Sequence, residues 1–324
     1  MNVLAGFFRA VCLALALALA SAAIAQGYPS KPIRVIVPFA PGSATDLIGR
    51  AFAAKMSETL GQPLIVENRP GANGMIGADA VAKAAADGYT ILFGTNSTNA
   101  ALKSLMKKLP YDQDTAFAPV GFMGSVPLIV AINNDVPART LAEFIALAKA
   151  KPGAVTFATA STSQRISSEM LAGMAGIQMT HVPYKSSPNA ITDLIGGQVM
   201  MFTADFAVML PQVKSGKVRA LAVTSTRRSA VTPDLPTVNE AAGLKDYELI
   251  AFFATYAPAG TPRDIVLKLN AAINAAARSK DLLDRFSAIG LETAPGTPEG
   301  LGQRTGRETI KWAKAIKDAG IEPE

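Results

Sequence analysis

The chain has 324 residues, long enough for two domains that each bury a core. Hydrophobic residues make up 49% and charged ones 17%, which excludes a disordered chain. The formal charge of +6 suits an anionic ligand without requiring one, and no dense Lys/Arg run accompanied by aromatics marks a nucleic-acid binder.

Arg9 stands before the apolar run Val11 to Ala20, and Ala23-Ile24-Ala25 supplies small residues for cleavage. Residues 1–25 therefore read as a secretory signal peptide, too short with this flank to span a membrane. The expected product is exported, soluble and periplasmic. Cys12, the one cysteine, lies in that segment without a lipoprotein cleavage box, so no disulfide or thiol chemistry is expected. Removal of Arg9 with the segment takes the charge from +6 to +5.

Ile33 to Val37 has strand length, and Leu47, Ile48, Ala51, Phe52, Met56 and Leu60 recur at helical spacing. Between them lies Pro38-Phe39-Ala40-Pro41-Gly42-Ser43-Ala44-Thr45-Asp46. Ser43 with Asp46 three residues on is a capping-box pattern, so a helix starts there. A helix start with free amides is an anion site; the alternative is an ordinary strand-to-helix turn. Asp46 is either a helix N-terminal acid or a ligand contact.

Leu64 to Glu67 reads as a strand, Asn68 to Gly74 as a loop, and Met75 to Ala86 as a helix. The strand Thr90 to Phe93 opens into Gly94-Thr95-Asn96-Ser97-Thr98-Asn99. That polar loop either binds ligand beyond a strand's carboxyl end or is a surface loop with a helix cap. Two strands follow, around Val120 and at Leu128 to Ile132, then a helix from Leu141 to Ala150. The strand Val155 to Ala158 leads to Thr159-Ala160-Ser161-Thr162-Ser163-Gln164 and a helix carrying Ile166, Met170 and Met174. This second small-residue turn is expected in the other domain, facing the first.

Strands follow at Gln178 to Val182, Val199 to Phe202, Val218 to Val223 and Leu249 to Tyr256. A helix between Ser187 and Gly196 separates the first two, and the chain from Arg263 onward is mostly helical. Strands alternating with helices twice over indicate two α/β domains. Asp205, just past a strand end, either accepts a hydrogen from a ligand hydroxyl or amino group or caps the next helix.

Catalysis finds little support. His181 is the single histidine, and with no mature cysteine there is no His/Cys metal cluster. Nucleophile-elbow, dinucleotide-binding and phosphate-loop patterns are absent, so neither metal nor cofactor is expected.

Several stretches together resemble the periplasmic substrate-binding receptors of tripartite tricarboxylate transporters, also called Bug receptors. They are Pro38 to Asp46, Asn68-Arg69-Pro70-Gly71-Ala72, Asp87-Gly88-Tyr89-Thr90 and Leu109-Pro110-Tyr111-Asp112. His181-Val182-Pro183-Tyr184-Lys185, Gly216 to Thr224, Ala257 to Pro262 and Ala319-Gly320-Ile321 complete the order along the mature chain.

The resemblance implies a two-lobed type II periplasmic-binding-protein fold with two inter-lobe crossovers, near Val126 and Phe252. Lobe 1 would comprise residues 26–126 and 251–324, and lobe 2 residues 127–250. A small organic carboxylate would lie between the lobes and pass to membrane permease subunits, the receptor acting as a monomer. The implied ligand-binding residues of the first lobe are Phe39, Ala40, Gly42, Ser43, Ala44, Thr45 and Asp46, with Thr95 and Asn96. Those of the second are Thr159, Ser161, Ser163, Gln164 and Arg165, with Tyr184, Ala204 and Asp205. Three departures bear on selectivity. Gln164-Arg165 stands where a small residue and His are common, Ser186 replaces a usual Gly, and Ala204 occupies a position often acidic. Asp205 would be its one-residue-shifted equivalent. A secreted enzyme acting on carboxylates and a sensory receptor for a membrane kinase are the rival functions.

Overall fold

A computed structural model describes residues 27–323, so the expected signal segment, residues 1–25, lies outside the described residues. The first part of the chain alternates β1 (Ile33–Val37), α1 (Ala44–Leu60), β2 (Leu64–Asn68), α2 (Met75–Ala82), β3 (Thr90–Thr95) and α3 (Leu102–Leu105). Next come β4 (Phe117–Asn133), α4 (Leu141–Ala150), β5 (Val155–Thr159), α5 (Thr162–Ala175), β6 (Met179–Pro183) and α6 (Ser187–Ile195). Then follow β7 (Met201–Asp205), α7 (Phe206–Lys214), β8 (Val218–Val223), α8 (Val238–Ala242) and β9 (Ile250–Pro258). Three helices close the chain: α9 (Arg263–Arg278), α10 (Lys280–Ser287) and α11 (Pro298–Asp318).

The strands form a mixed sheet in the order β2-β1-β3-β9-β4-β7-β5-β6, with β8 also on β4. β1 pairs in parallel with β2 and β3, and β5 in parallel with β6 and β7. Parallel strands need helical crossovers, and these cover the sheet. β4 belongs to both halves of the sheet. It pairs with β9 from Phe117 to Pro127, then lies between β7 and β8 from Leu128 onward. The chain thus enters the second half along β4 and returns at Ile250.

β4 departs from the two short strands expected around Val120 and at Leu128 to Ile132. Its glycines and prolines read as breakers, but register shifts at Pro119/Gly121 and Phe122/Gly124 absorb them. At Gly124 a Cβ would come 3.0 Å from the Glu292 carbonyl, so any side chain there would have to push that neighbour aside. The polar stretch after β3 is no loop either. Ser97–Ala101 forms a π-helical turn leading into α3, and α11 packs over it. α2 ends at Ala82 rather than Ala86, closed by a tighter turn from Ala84 N–H to the Val81 carbonyl at 3.0 Å.

The first half's core contains Phe52 of α1 stacked on Phe286 of α10, ring centroids 5.4 Å apart. The second half buries Phe144, Phe157 and Tyr247. Each such side chain contributes roughly 1.5–3 kcal/mol. No described helix is long and apolar enough to cross a membrane.

Candidate functional site

β1 delivers the chain to the Pro38–Ser43 turn, where Gly42 adopts φ 78° and Ser43 caps α1. The Ser43 hydroxyl accepts from Asp46 N–H at 3.3 Å. Asp46 replies through Gly42 N–H (3.0 Å), and its other oxygen accepts from Arg50 Nε and Asn68 Nδ2, each at 2.9 Å. Asn68 Nδ2 also holds the Phe39 carbonyl at 3.0 Å. Asp46 is therefore a brace for the turn. Its work leaves Ala44 and Thr45 at the helix start, where amides have no intrahelical acceptor.

Opposite this turn, β5 leads to Ser161, which makes no side-chain cap on α5. Gln164 folds back instead: its Oε1 accepts from Ala160 N–H at 2.7 Å. Its Nε2 donates to Ser187 Oγ at 3.0 Å, and the side chain also hydrogen-bonds the Asp205 carboxylate. Ser186 caps α6, accepting from Asn189 N–H at 3.3 Å. Asp205 ends β7 at the cap position of α7 without a capping bond. Burial pushes its carboxyl up to about 6, against the pull of its hydrogen bonds.

These segments line one cavity. Phe39, Ala40, Ser43, Ala44, Thr45, Thr95, Asn96 and Ser97 line it from the first half. Ala160, Ser161, Ser163, Gln164, Lys185, Ser186, Ser187 and Asp205 line it from the second, and Ala251 and Phe253 of β9 complete it. The halves touch across it. Ser163 N–H donates to Ser97 Oγ at 3.3 Å, and a side chain at Gly42 would meet the Pro188 ring at 3.3 Å. The cavity leaves about 30 Å³ for the centres of water-sized molecules. Larger cavities of about 480 and 570 Å³ lie elsewhere and share none of these residues. The small one stands out chemically, because the starts of α1, α5, α6 and α7 converge on it. Asn96 Nδ2 and Thr95 Oγ1, both on its lining, are buried without a partner among the described residues.

Six of the expected site residues lie off the lining. Gly42 and Asp46 build the turn behind it, and Ala204 is buried within β7. Thr159 Oγ1 pairs with His181 Nε2 at 2.6 Å, and the His181 ring stacks on Phe157 at 5.2 Å. Tyr184 donates its hydroxyl to Asp193 at 2.8 Å. Arg165 is absent from the lining, and exposed Lys185 is the cation on it. Ser186-Ser187-Pro188 carried the same cap-and-proline signal as other helix starts. Ala251 and Phe253 carried none, since apolar strand residues look alike until the sheet closes.

The family model described as tripartite tricarboxylate transporter family receptor matches residues 48–321. The chain belongs to this family. Among its relatives, the protein BugT of Bordetella pertussis is 38% identical over 299 residues, covering 91% of each chain. A UPF0065 protein from the tcbD-tcbE intergenic region of Pseudomonas sp. strain P51 is 39% identical over 294 residues, 90% of this chain and 87% of that one. The structure of Rpa4515 from R. palustris with adipate matches with TM-score 0.89 and 33% identity over 92% of this chain and 100% of that one. MatC from Rhodopseudomonas palustris with bound malate matches with TM-score 0.85 and 32% identity, over 89% and 100%. The receptor shares their two-lobed α/β fold.

Proposed function

We propose that the chain is a periplasmic receptor that closes two lobes on a small organic carboxylate and delivers it, unchanged, to membrane permease subunits. Its lobes are residues 26–126 with 251–324, and residues 127–250, and export removes residues 1–25. The observation that carries this reading is the convergence of four helix starts, from both halves, on one cavity. Helix starts favour anions through their amides and dipoles. Structural neighbours solved with adipate and malate support a carboxylate.

In this reading the carboxylate takes amides and hydroxyls of Ser43 to Thr45 and of Ser161 to Ser163. Asn96 Nδ2 donates to it, and Lys185 closes over the rim. Asp205 accepts a hydrogen from a hydroxyl or amino group elsewhere on the ligand. A buried acid beside an anion otherwise costs binding free energy.

Mass spectrometry of small molecules released on denaturing natively purified protein tests the reading. An organic acid should be recovered, and a Ser163→Leu chain, its cavity filled, should carry none. Cells lacking the protein should lose uptake of that acid. Recovery of no acid, together with no heat from a panel of carboxylates, would overturn it.

A further inference from the structure

Between the start of β4, β9 and α11 lies a cavity of about 300 Å³, the lower end of the range for small-molecule sites. It shares no lining residue with the cleft, so nothing about it depends on the carboxylate reading. One wall is the face of α11 that carries Gly302, Thr305, Gly306 and Thr309 at helical spacing. Glycine inside a helix is destabilising relative to alanine. A Cβ at Gly306 would meet no atom within 4 Å, so close packing does not require glycine there. What the missing side chain leaves is room.

The other walls set flat apolar surface, from Phe117, Pro119 and Tyr256, beside amide groups. Gln113 is 7% exposed, and its Oε1 accepts from Lys103 N–H at 2.9 Å. Its Nε2 is buried with no partner among the described residues. A buried donor left unpaired is costly, and an oxygen on an occupant would satisfy it. Asn99, from the π-helical turn, has Oδ1 2.7 Å from the Thr98 hydroxyl, which leaves its amide nitrogen for an occupant. Thr305 Oγ1 donates to the Leu301 carbonyl at 3.0 Å, so Tyr256 donates to Thr305 at 2.8 Å and its own oxygen can accept. Asp114, the one charged residue among the described lining, is paired with Lys103. The cavity thus offers hydrogen bonds and flat apolar surface without an unpaired charge.

We propose that this cavity is a second binding site, for a neutral polyhydroxylated ring of monosaccharide or cyclitol size. Ligand oxygens accept from Gln113 Nε2 and Asn99 Nδ2, and ligand hydroxyls donate to Tyr256 and Asp114. A C–H face of the ring lies on Phe117 and on the glycine-cleared surface of α11. An apolar molecule would leave the Gln113 amide unpaired, and an anion would meet Asp114 with no cation on the lining.

Calorimetry and saturation-transfer NMR with myo-inositol, D-glucose and D-galactose test this, with cyclohexanol as a ring bearing a single hydroxyl. At least one of the three polyols should bind saturably, about tenfold more tightly than cyclohexanol. Gln113→Leu should weaken that polyol several-fold and leave cyclohexanol unchanged. Gly306→Phe fills the cavity from an exposed helix position and should abolish polyol binding. Thr309→Phe, one turn on along the same face, should do the same should the glycine variant fail to fold. Ser163→Leu, which fills the cleft instead, should leave polyol binding intact. The proposal is overturned by no saturable binding of any of the three polyols, or by cyclohexanol binding as tightly. Undiminished binding in a folded cavity-filling variant, or loss of binding in folded Ser163→Leu, overturns it too.

Discussion

Two buried aspartates stand at helix starts beside the cleft, and their surroundings separate them. Asp46 has both oxygens engaged, by Gly42 N–H on one side and Arg50 and Asn68 on the other. Asp46→Ala should cost about 1–3 kcal/mol, because it removes the charge-assisted bonds to Gly42, Asn68 and half-exposed Arg50 that hold the turn. Urea unfolding checks this, and a loss under 1 kcal/mol would count against the bracing role. Asp205 lacks such a set, and burial raises it from its ordinary value to about 6. Through that window the folded chain binds more protons than the unfolded one, so stability falls as pH rises and the deficit is complete above it. Asp205→Asn should therefore be more stable than the parent near pH 8, by up to about 3 kcal/mol, with the difference gone below about pH 4. Thermal melts across that range test it, and parallel curves would contradict it. The same variant should bind ligand more weakly. Which aspartate braces and which faces the cavity was not legible in the sequence. The distinction rests on Asn68, twenty-two positions away, and on Gln164 in the other half.

At the level of elements, the strand-turn-helix units at Val37 to Thr45 and Thr159 to Gln164 were legible. Small residues in both, with a glycine and a hydroxyl cap in the first, are local chemistry. Their convergence needed the fold. β4 was misread because strand formation there depends on β9 and on bulges, neither of which a local pattern carries. Gly124→Val should destabilise by about 1–3 kcal/mol, since its side chain must displace the Glu292 backbone and Leu291. Calorimetric melting measures that. Gln164 and Arg165 are neighbours with different reach: Gln164 bonds Ala160, Ser187 and Asp205, whereas Arg165 lies off the lining. Gln164→Ala should reorder affinities across a panel of acids, and Arg165→Ala should leave the order intact. Isothermal titration of both variants decides it, and an unchanged order in the Gln164 variant would remove that residue from selectivity.

Over the whole molecule, the two halves share β4 and the return at Ile250, and few polar contacts such as Ser97 with Ser163 bridge the cleft. Such a joint permits hinge closure, so ligand-free protein should show a larger radius of gyration by small-angle scattering than liganded protein. The central claim is that a carboxylate is gripped mainly by neutral donors at opposed helix starts. Each charge-assisted hydrogen bond contributes roughly 1.5–3 kcal/mol, and a closed cleft excludes screening salt. Calorimetry on the acid recovered from the protein and on its carboxamide, each at low and high salt, tests this directly. The amide should bind about tenfold to a hundredfold more weakly, and the acid's affinity should change little with salt. Equal affinities for the two, or a steep loss of acid binding as salt rises, would contradict it.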